Sequence, residues 1–219
     1  ALNGYVFIKF NFSYNGTNLK NPTDFVDLNA FGNNNFCTEL DDLELVIKWI
    51  KTKYPNCKVS LFGHSRGGAI SILKSNENNQ IDKVISWASP SNLISRLPDA
   101  DKAKKWKDTN VVYVYNGRTK QNMPMFYQFY QNCIENIERL NIKKAIKEIN
   151  IPHLHIHGSS DPTVLIEDAL EMKRWNDKIN LEIINEADHV FGSSHPYNKN
   201  KFPLHLNKAL LKTLEFLKS

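Results

Sequence analysis

Residues 58–62, Lys-Val-Ser-Leu-Phe, run straight into Gly63-His64-Ser65-Arg66-Gly67-Gly68. An apolar run of this kind predicts a short strand, and a helix is expected to start at Gly67. A serine at the centre of G-x-S-x-G, between a strand and a helix, is the pattern of a nucleophile elbow. The spacing has a physical reason. Such a turn forces Ser65 into a strained backbone conformation, and glycines two residues to either side leave room for the strand and helix to cross. The hydroxyl is then held above the sheet, near a helix N-terminus that favours developing negative charge. In that geometry the Arg66 backbone N–H is a candidate oxyanion donor.

Around the elbow the chain alternates between the two secondary-structure periods. Tyr5 to Phe12 is aromatic and β-branched and predicts a strand, followed by a polar loop to about Asn35. Leu40, Leu43, Val46, Ile47 and Ile50 recur at helical spacing between Glu39 and Lys53, and Tyr54-Pro55 stops that helix. Strands are predicted over Asp82–Ala88, His153–His157 and Leu181–Ile184, with a helix over 162–175 between the last two. The final helix carries Leu206, Leu210, Leu214 and Leu217 on one face. Alternation of this kind argues for an α/β chain with a mostly parallel sheet covered by helices on both faces.

Residues 91–150 interrupt the rhythm. Val111–Tyr115, Asn116-Gly117 and the residues from Arg118 onward predict a hairpin with the Asn-Gly turn that hairpins favour. The segment is rich in aromatic residues: Trp106, Tyr113, Tyr115, Phe126, Tyr127, Phe129 and Tyr130. They either line a site for an aromatic ester, with Trp106 and Tyr127 as the candidate substrate contacts, or form the small core of the insertion itself.

A serine nucleophile needs a base and a group that orients the base. Asp161 follows the strand 153–157 through Gly158-Ser159-Ser160, and His189 follows the strand 181–184 through residues 185–188. Both sit just past the C-terminal end of a strand, the edge where ligands and reactive groups collect in parallel sheets. The order Ser65, Asp161, His189 is the one this elbow requires. Glu186 and Asp188 are rival acids. His153, His155 and His157 alternate along one strand and project to one face, which suggests a metal site at first sight. No carboxylate or cysteine stands at matching spacing, so the expectation is packed, hydrogen-bonded histidines and no metal. His195 and His205 have no supporting context.

With GHSRGG as the elbow, HGSSDPTV as the acid loop and ADHVF as the histidine loop, the chain resembles the α/β-hydrolase family over nearly its whole length. It is most similar there to bacterial carboxylesterases of the cinnamoyl- and feruloyl-esterase and dienelactone-hydrolase type. The resemblance implies a serine esterase with Ser65, Asp161 and His189 as its triad, the family taking its acid from the loop where Asp161 stands. It implies a hydrolase core in two parts, residues 1–90 and 151–219, with residues 91–150 as a small cap-like insertion over Ser65. No cofactor is implied, and the partner is a small-molecule ester. A peptidase or thioesterase would use the same triad, and a non-catalytic scaffold would keep the fold alone.

One departure matters. Family members carry three strands and a helix before the strand matched by residues 5–12, and a His-Gly-type loop that supplies the second oxyanion donor; residues 1–64 hold no such loop. If residues 5–12 are the family's fourth strand, its neighbour is absent and the sheet has an interior gap. Each buried unpaired backbone group there would cost about 1–3 kcal/mol. The expectation is therefore that N-terminal strands, and with them the second donor, lie outside the chain as given.

Composition narrows the remaining classes. The 219 residues are 41% hydrophobic and 23% charged, which excludes a disordered or fibrous chain. The formal net charge of +5 raises nucleic acid as a partner, but arginine is scarce. The tightest cluster, Lys102, Lys104, Lys105 and Lys107 around Trp106, reads as a solvated helix face. No nucleic acid is expected. No stretch approaches about 18 apolar residues, so no membrane span is expected either. Cys37, Cys57 and Cys133 are too few for a disulfide framework and read as reduced thiols in a cytoplasmic protein, a monomer or homodimer.

Overall fold

In a computed structural model that describes residues 4–22, 24–117, 119–194 and 197–219, the alternation becomes a four-stranded parallel sheet. The elements in chain order are α1 (Leu28–Gly32), α2 (Phe36–Lys53), β1 (Ser60–His64), α3 (Arg66–Glu77), β2 (Lys83–Trp87), α4 (Ala100–Thr109), β3 (Val111–Asn116), β4 (Gln121–Phe126), α5 (Gln128–Glu135), α6 (Ile142–Glu148), β5 (His153–Gly158), α7 (Ile166–Trp175), β6 (Asn180–Ile184) and α8 (Leu204–Lys218). They sort into two compact units, Ala1–Trp49 with Ile94–Leu140 and Ile50–Leu93 with Asn141–Ser219.

The second unit holds the sheet, in the order β1-β2-β5-β6 with every pair parallel. Side chains alternate between its faces, as a pleated strand demands. Ile85, Trp87, Leu154, Ile156 and Ile184 share one core cluster with Ala209, and Leu206, Leu210, Phe216 and Leu217 of α8 pack against it. Lys83 ties down the end of that helix: its ammonium donates to the Phe216 and Leu217 carbonyls at 2.8 and 3.3 Å. The other face carries Val84, Ser86 and the three histidines of β5, all buried. α3 packs on β1 and β2, and α7 on β5. Burial of every β5 residue shows that both faces are covered.

The first unit is built around the β3–β4 hairpin. α1 packs on β4 closely enough that a Cβ at Gly32 would lie 2.8 Å from the Phe126 ring. Trp106 of α4 is buried, donates its indole N–H to the Met125 carbonyl at 2.9 Å, and meets Tyr127, Phe129 and Tyr130 in an aromatic cluster. The lysine run around it lies on α4, with Lys102, Lys104, Lys105 and Lys107 exposed.

Three sequence expectations are corrected. Tyr5–Phe12 forms no strand, and Val6 and Phe7 are 86% and 72% exposed. A strand is held by its partner ladder, and among the described residues no strand pairs with these. Among the described residues β1 therefore stands at one edge of the sheet, and the gap expected between residues 5–12 and β1 does not arise. The hairpin is also longer than expected. Asn116 pairs with Gln121, so the connection is residues 117–120 and not a two-residue Asn-Gly turn; Arg118 lies outside the described residues. Lys120 takes the left-handed conformation there, and the Asn116 side-chain oxygen accepts from the Thr119 N–H. Among the described residues no helix is long and apolar enough to cross a membrane.

Candidate active site

The elbow is where strand and helix collide, and its backbone shows it. Ser65, between β1 and α3, has φ 54° and ψ −125°, a region that costs a non-glycine residue about 1–3 kcal/mol. The neighbours over-determine it: the Ser65 N–H donates to the Trp87 carbonyl at 2.8 Å, and the Ser65 carbonyl accepts from the Gly68 N–H at 2.9 Å. A Cβ on Gly63 would stand 2.1 Å from the Gly67 carbonyl oxygen, so only glycine fits. The second tight glycine differs from the one expected. Gly67 faces open space, whereas a Cβ on Gly68 would lie 2.8 Å from that of Ser89. The Arg66 backbone N–H opens α3 immediately after the serine.

Asp161 reaches the site because the loop after β5 passes under the loop after β6. That crossing needs Gly158, where a Cβ would meet the Ala187 carbonyl oxygen at 2.2 Å. The Asp161 side chain is wholly shielded from solvent. Its Oδ1 accepts from the Thr163 and Val164 N–H groups at 2.8 and 3.0 Å, and its Oδ2 accepts from His189 Nδ1 at 2.7 Å. Burial by itself would raise the carboxyl pKa, but the Val164 N–H, the His189 ring and the Thr163 N–H outweigh it, and the group stays below its ordinary value of 3.8. An ionised acceptor on Nδ1 puts the His189 proton there and leaves Nε2 bare. Ser65 Oγ lies 3.0 Å from Nε2, placed to donate to it.

The two rival acids point elsewhere. Asp188 Oδ1 accepts from the Val190 and Gly192 N–H groups and shapes the turn after His189. Glu186 is left-handed, and its N–H donates to Ser159 Oγ at 2.8 Å. Phe191 is also left-handed and fully buried, packed against the rings of Trp87 and His64. His153, His155 and His157 are hydrogen-bonded to Ser86 and to one another, and no group of three potential metal ligands occurs among the described residues. His195 lies outside the described residues. Trp106 and Tyr127 belong to the aromatic cluster of the first unit.

Sequence reading missed His64, whose ring holds the His189 backbone, and the Thr163 and Val164 amides that hold Asp161. His64 occupies an unspecified position of the motif, and backbone amides carry no residue signal.

No protein-family model matches the sequence, and no curated protein does. Solved structures do. Est1E from Butyrivibrio proteoclasticus, with ferulic acid bound, superposes with TM-score 0.64 at 15% identity, over 87% of this chain and 72% of that one. A monoacylglycerol lipase from Paleococcus ferrophilus matches with TM-score 0.61 at 15% identity, over 86% and 77%. The esterase domain of a Rhodothermus marinus protein matches with TM-score 0.54 at 17% identity, over 85% and 70%. The fold is that of an α/β hydrolase. At these identities the likeness is one of fold, and within the α/β-hydrolase fold the elbow, the acid loop and the histidine loop stand at the ends of β1, β5 and β6.

Proposed function

We propose that this α/β hydrolase is a serine esterase that cleaves carboxylic esters through an acyl-enzyme on Ser65. The observation that carries the reading is the hydrogen-bonded chain Ser65–His189–Asp161, at 3.0 and 2.7 Å, on a serine held at φ 54°. Ser65 Oγ attacks the acyl carbon while His189 Nε2 takes its proton. Asp161 keeps the other proton on Nδ1 and stabilises the imidazolium. The Arg66 N–H donates to the oxyanion, assisted by the positive end of α3. Collapse of the tetrahedral intermediate breaks the bond to the alcohol, which leaves with the proton from His189. Water, deprotonated by the same ring, then releases the acid.

Esters are favoured as substrates because the structural neighbours named above include esterases and a lipase, one of them holding ferulic acid. Three cysteines kept as thiols suit a reducing compartment such as the cytoplasm.

Intact-protein mass spectrometry before and after a fluorophosphonate probe tests the reading, together with hydrolysis of a p-nitrophenyl acyl ester. The expected result is one adduct and turnover on the wild type, and neither on Ser65→Ala. A folded wild type with no adduct and no turnover overturns it.

A further inference from the structure

His153, His155 and His157 are buried on the face of β5 opposite α8, and with Ser86 they form one unbroken hydrogen-bonded chain. His153 Nε2 lies 2.8 Å from Ser86 Oγ, and Ser86 Oγ lies 2.8 Å from His155 Nδ1. His155 Nε2 lies 3.1 Å from His157 Nδ1, and His157 Nε2 lies 2.9 Å from the Val164 carbonyl oxygen. The last contact sets the direction of all the others. A carbonyl only accepts, so His157 carries its proton on Nε2 and its Nδ1 accepts. His155 then donates from Nε2, Ser86 donates to His155 Nδ1, and His153 donates from Nε2 to Ser86. His153 Nδ1 is left as a bare acceptor. It is the one ring nitrogen of the chain without a partner among the described residues. The opposite direction would set two lone pairs against each other at Val164 and bury an unsatisfied N–H at His153, the costlier orphan.

The chain ends on the catalytic acid. Val164 accepts from His157 through its carbonyl and donates through its N–H to Asp161 Oδ1 at 3.0 Å. His157 Nε2 also stands 3.6 Å from Asp161 Oδ2, the oxygen that holds His189. Burial disfavours charge on the two rings behind this contact: it pushes His153 down to about 3 and His155 well below its ordinary value.

We propose that His157 is a positioning residue for Asp161, clamping Val164 so that the carboxylate stays in register with the His189 ring, and that Ser86 and His155 hold His157 in the donating tautomer. The inference rests on the triad reading given above and adds a residue to it. His157 touches no reacting atom; it acts through the acid loop.

The test is a double-mutant cycle. His157→Leu removes the donor and His157→Gln restores an N–H near the same place, each made alone and with Asp161→Ala. Hydrolysis of a short acyl ester is measured beside far-UV circular dichroism and the urea midpoint. His157→Leu is expected to lower kcat roughly 10²-fold with KM nearly unchanged, and His157→Gln to recover most of it. In the Asp161→Ala background His157→Leu should cost nothing more, because the clamp then has nothing to position. An equal loss in both backgrounds, or a Gln variant no better than Leu, overturns the proposal. If His157→Leu does not fold, Ser86→Ala is read in the same cycle: a kcat loss that vanishes with Asp161→Ala supports it, and an unchanged kcat overturns it.

A second readout separates this proposal from the triad reading. The downfield proton resonance of His189 Nδ1–H reports its bond to Asp161 whether or not the protein turns over ester. A wild type without turnover or adduct ends the esterase reading alone. Loss of the resonance in the His157→Leu or Ser86→Ala variant, with retention in His157→Gln, still supports the clamp, and retention in all of them overturns it.

Discussion

His64 Nε2 donates to the His189 carbonyl oxygen across 2.7 Å, and the two rings sit 4.8 Å apart. The residue before Ser65 thus grips the backbone of His189. Burial is the main cause that lowers the His64 pKa, against the opposing pull of its bond to the His189 carbonyl, so the ring stays neutral with its proton on the donating nitrogen. Ser65 and His189 stand 124 residues apart in the sequence, and this contact ties the loop of one to the loop of the other.

His64→Ala should therefore lower kcat roughly tenfold to a hundredfold with little change in KM. His64→Gln, which keeps a donor, should recover part of the loss. Steady-state kinetics on both variants checks this; an unchanged kcat in a folded His64→Ala protein would show that the loop after β6 holds itself.

The glycines of the elbow should not behave alike. Gly63→Ala drives a Cβ into backbone and is expected to cost about 3 kcal/mol or more. Gly68→Ala meets the Ser89 side chain at 2.8 Å and the Gly63 carbonyl oxygen at 3.3 Å and should cost about 1–3 kcal/mol. Gly67→Ala enters open space at the start of α3 and should be neutral or stabilising by up to about 1 kcal/mol. Urea midpoints of the three variants rank them, and a Gly67→Ala protein as damaged as Gly63→Ala would contradict the packing.

Acid should destabilise the fold well above the carboxylate range. His153 and His155 have pKa values pushed below the ordinary 6.5, His153 to about 3. Above pH 6.5 neither folded nor unfolded chain carries these protons, and the full stability is present. Below it the unfolded chain binds protons that the folded chain refuses, so stability falls as the pH drops toward the folded values. The pair together costs on the order of 3 kcal/mol per pH unit in that window. Asp161, lowered from 3.8, adds a loss only at still lower pH. Urea unfolding at pH 7.5, 6.0 and 5.0 reads the slope, and His153→Phe should remove about half of it. A flat profile to pH 5 would mean that the folded rings take up protons.

Lys83→Met should loosen the end of α8. The ammonium holds the Phe216 and Leu217 carbonyls and lies 5.2 Å from the centre of the Phe216 ring. Losing these partly exposed contacts should cost about 1–2 kcal/mol. Hydrogen exchange at the amides of residues 214–218 should rise first, ahead of any change in the sheet, and unchanged exchange there would remove Lys83 from the account of this helix.

Local rules reached far along this chain. The apolar period of 58–62 and 153–157, the helical spacing of Leu40, Leu43 and Ile47, and the glycines about Ser65 each express a constraint acting over a few residues. Their sum already ordered β1, β2, β5 and β6 and set Ser65, Asp161 and His189 at the ends of three of those strands. Asp161 could be preferred to Asp188 only through the family resemblance; distance decides it here, since Asp188 is spent on the turn it stands in.

What failed to show in the sequence depends on partners far away in it. Tyr5–Phe12 has the composition of a strand, but composition does not supply a neighbour to pair with, and the segment stays outside the sheet. Gly67 and Gly68 look equivalent until Ser89 stands against one of them. His64 and His157 are ordinary letters of the sequence, and their roles appear only when the loops after β6 and β5 bring a carbonyl within 3 Å of each ring. By itself the sequence determined which residues could do chemistry and on which elements they stand, because secondary structure and turn sterics are local. Tertiary structure alone decided how those residues are held and in which tautomer, because a hydrogen bond between residues distant in sequence exists only once the chain has closed around it.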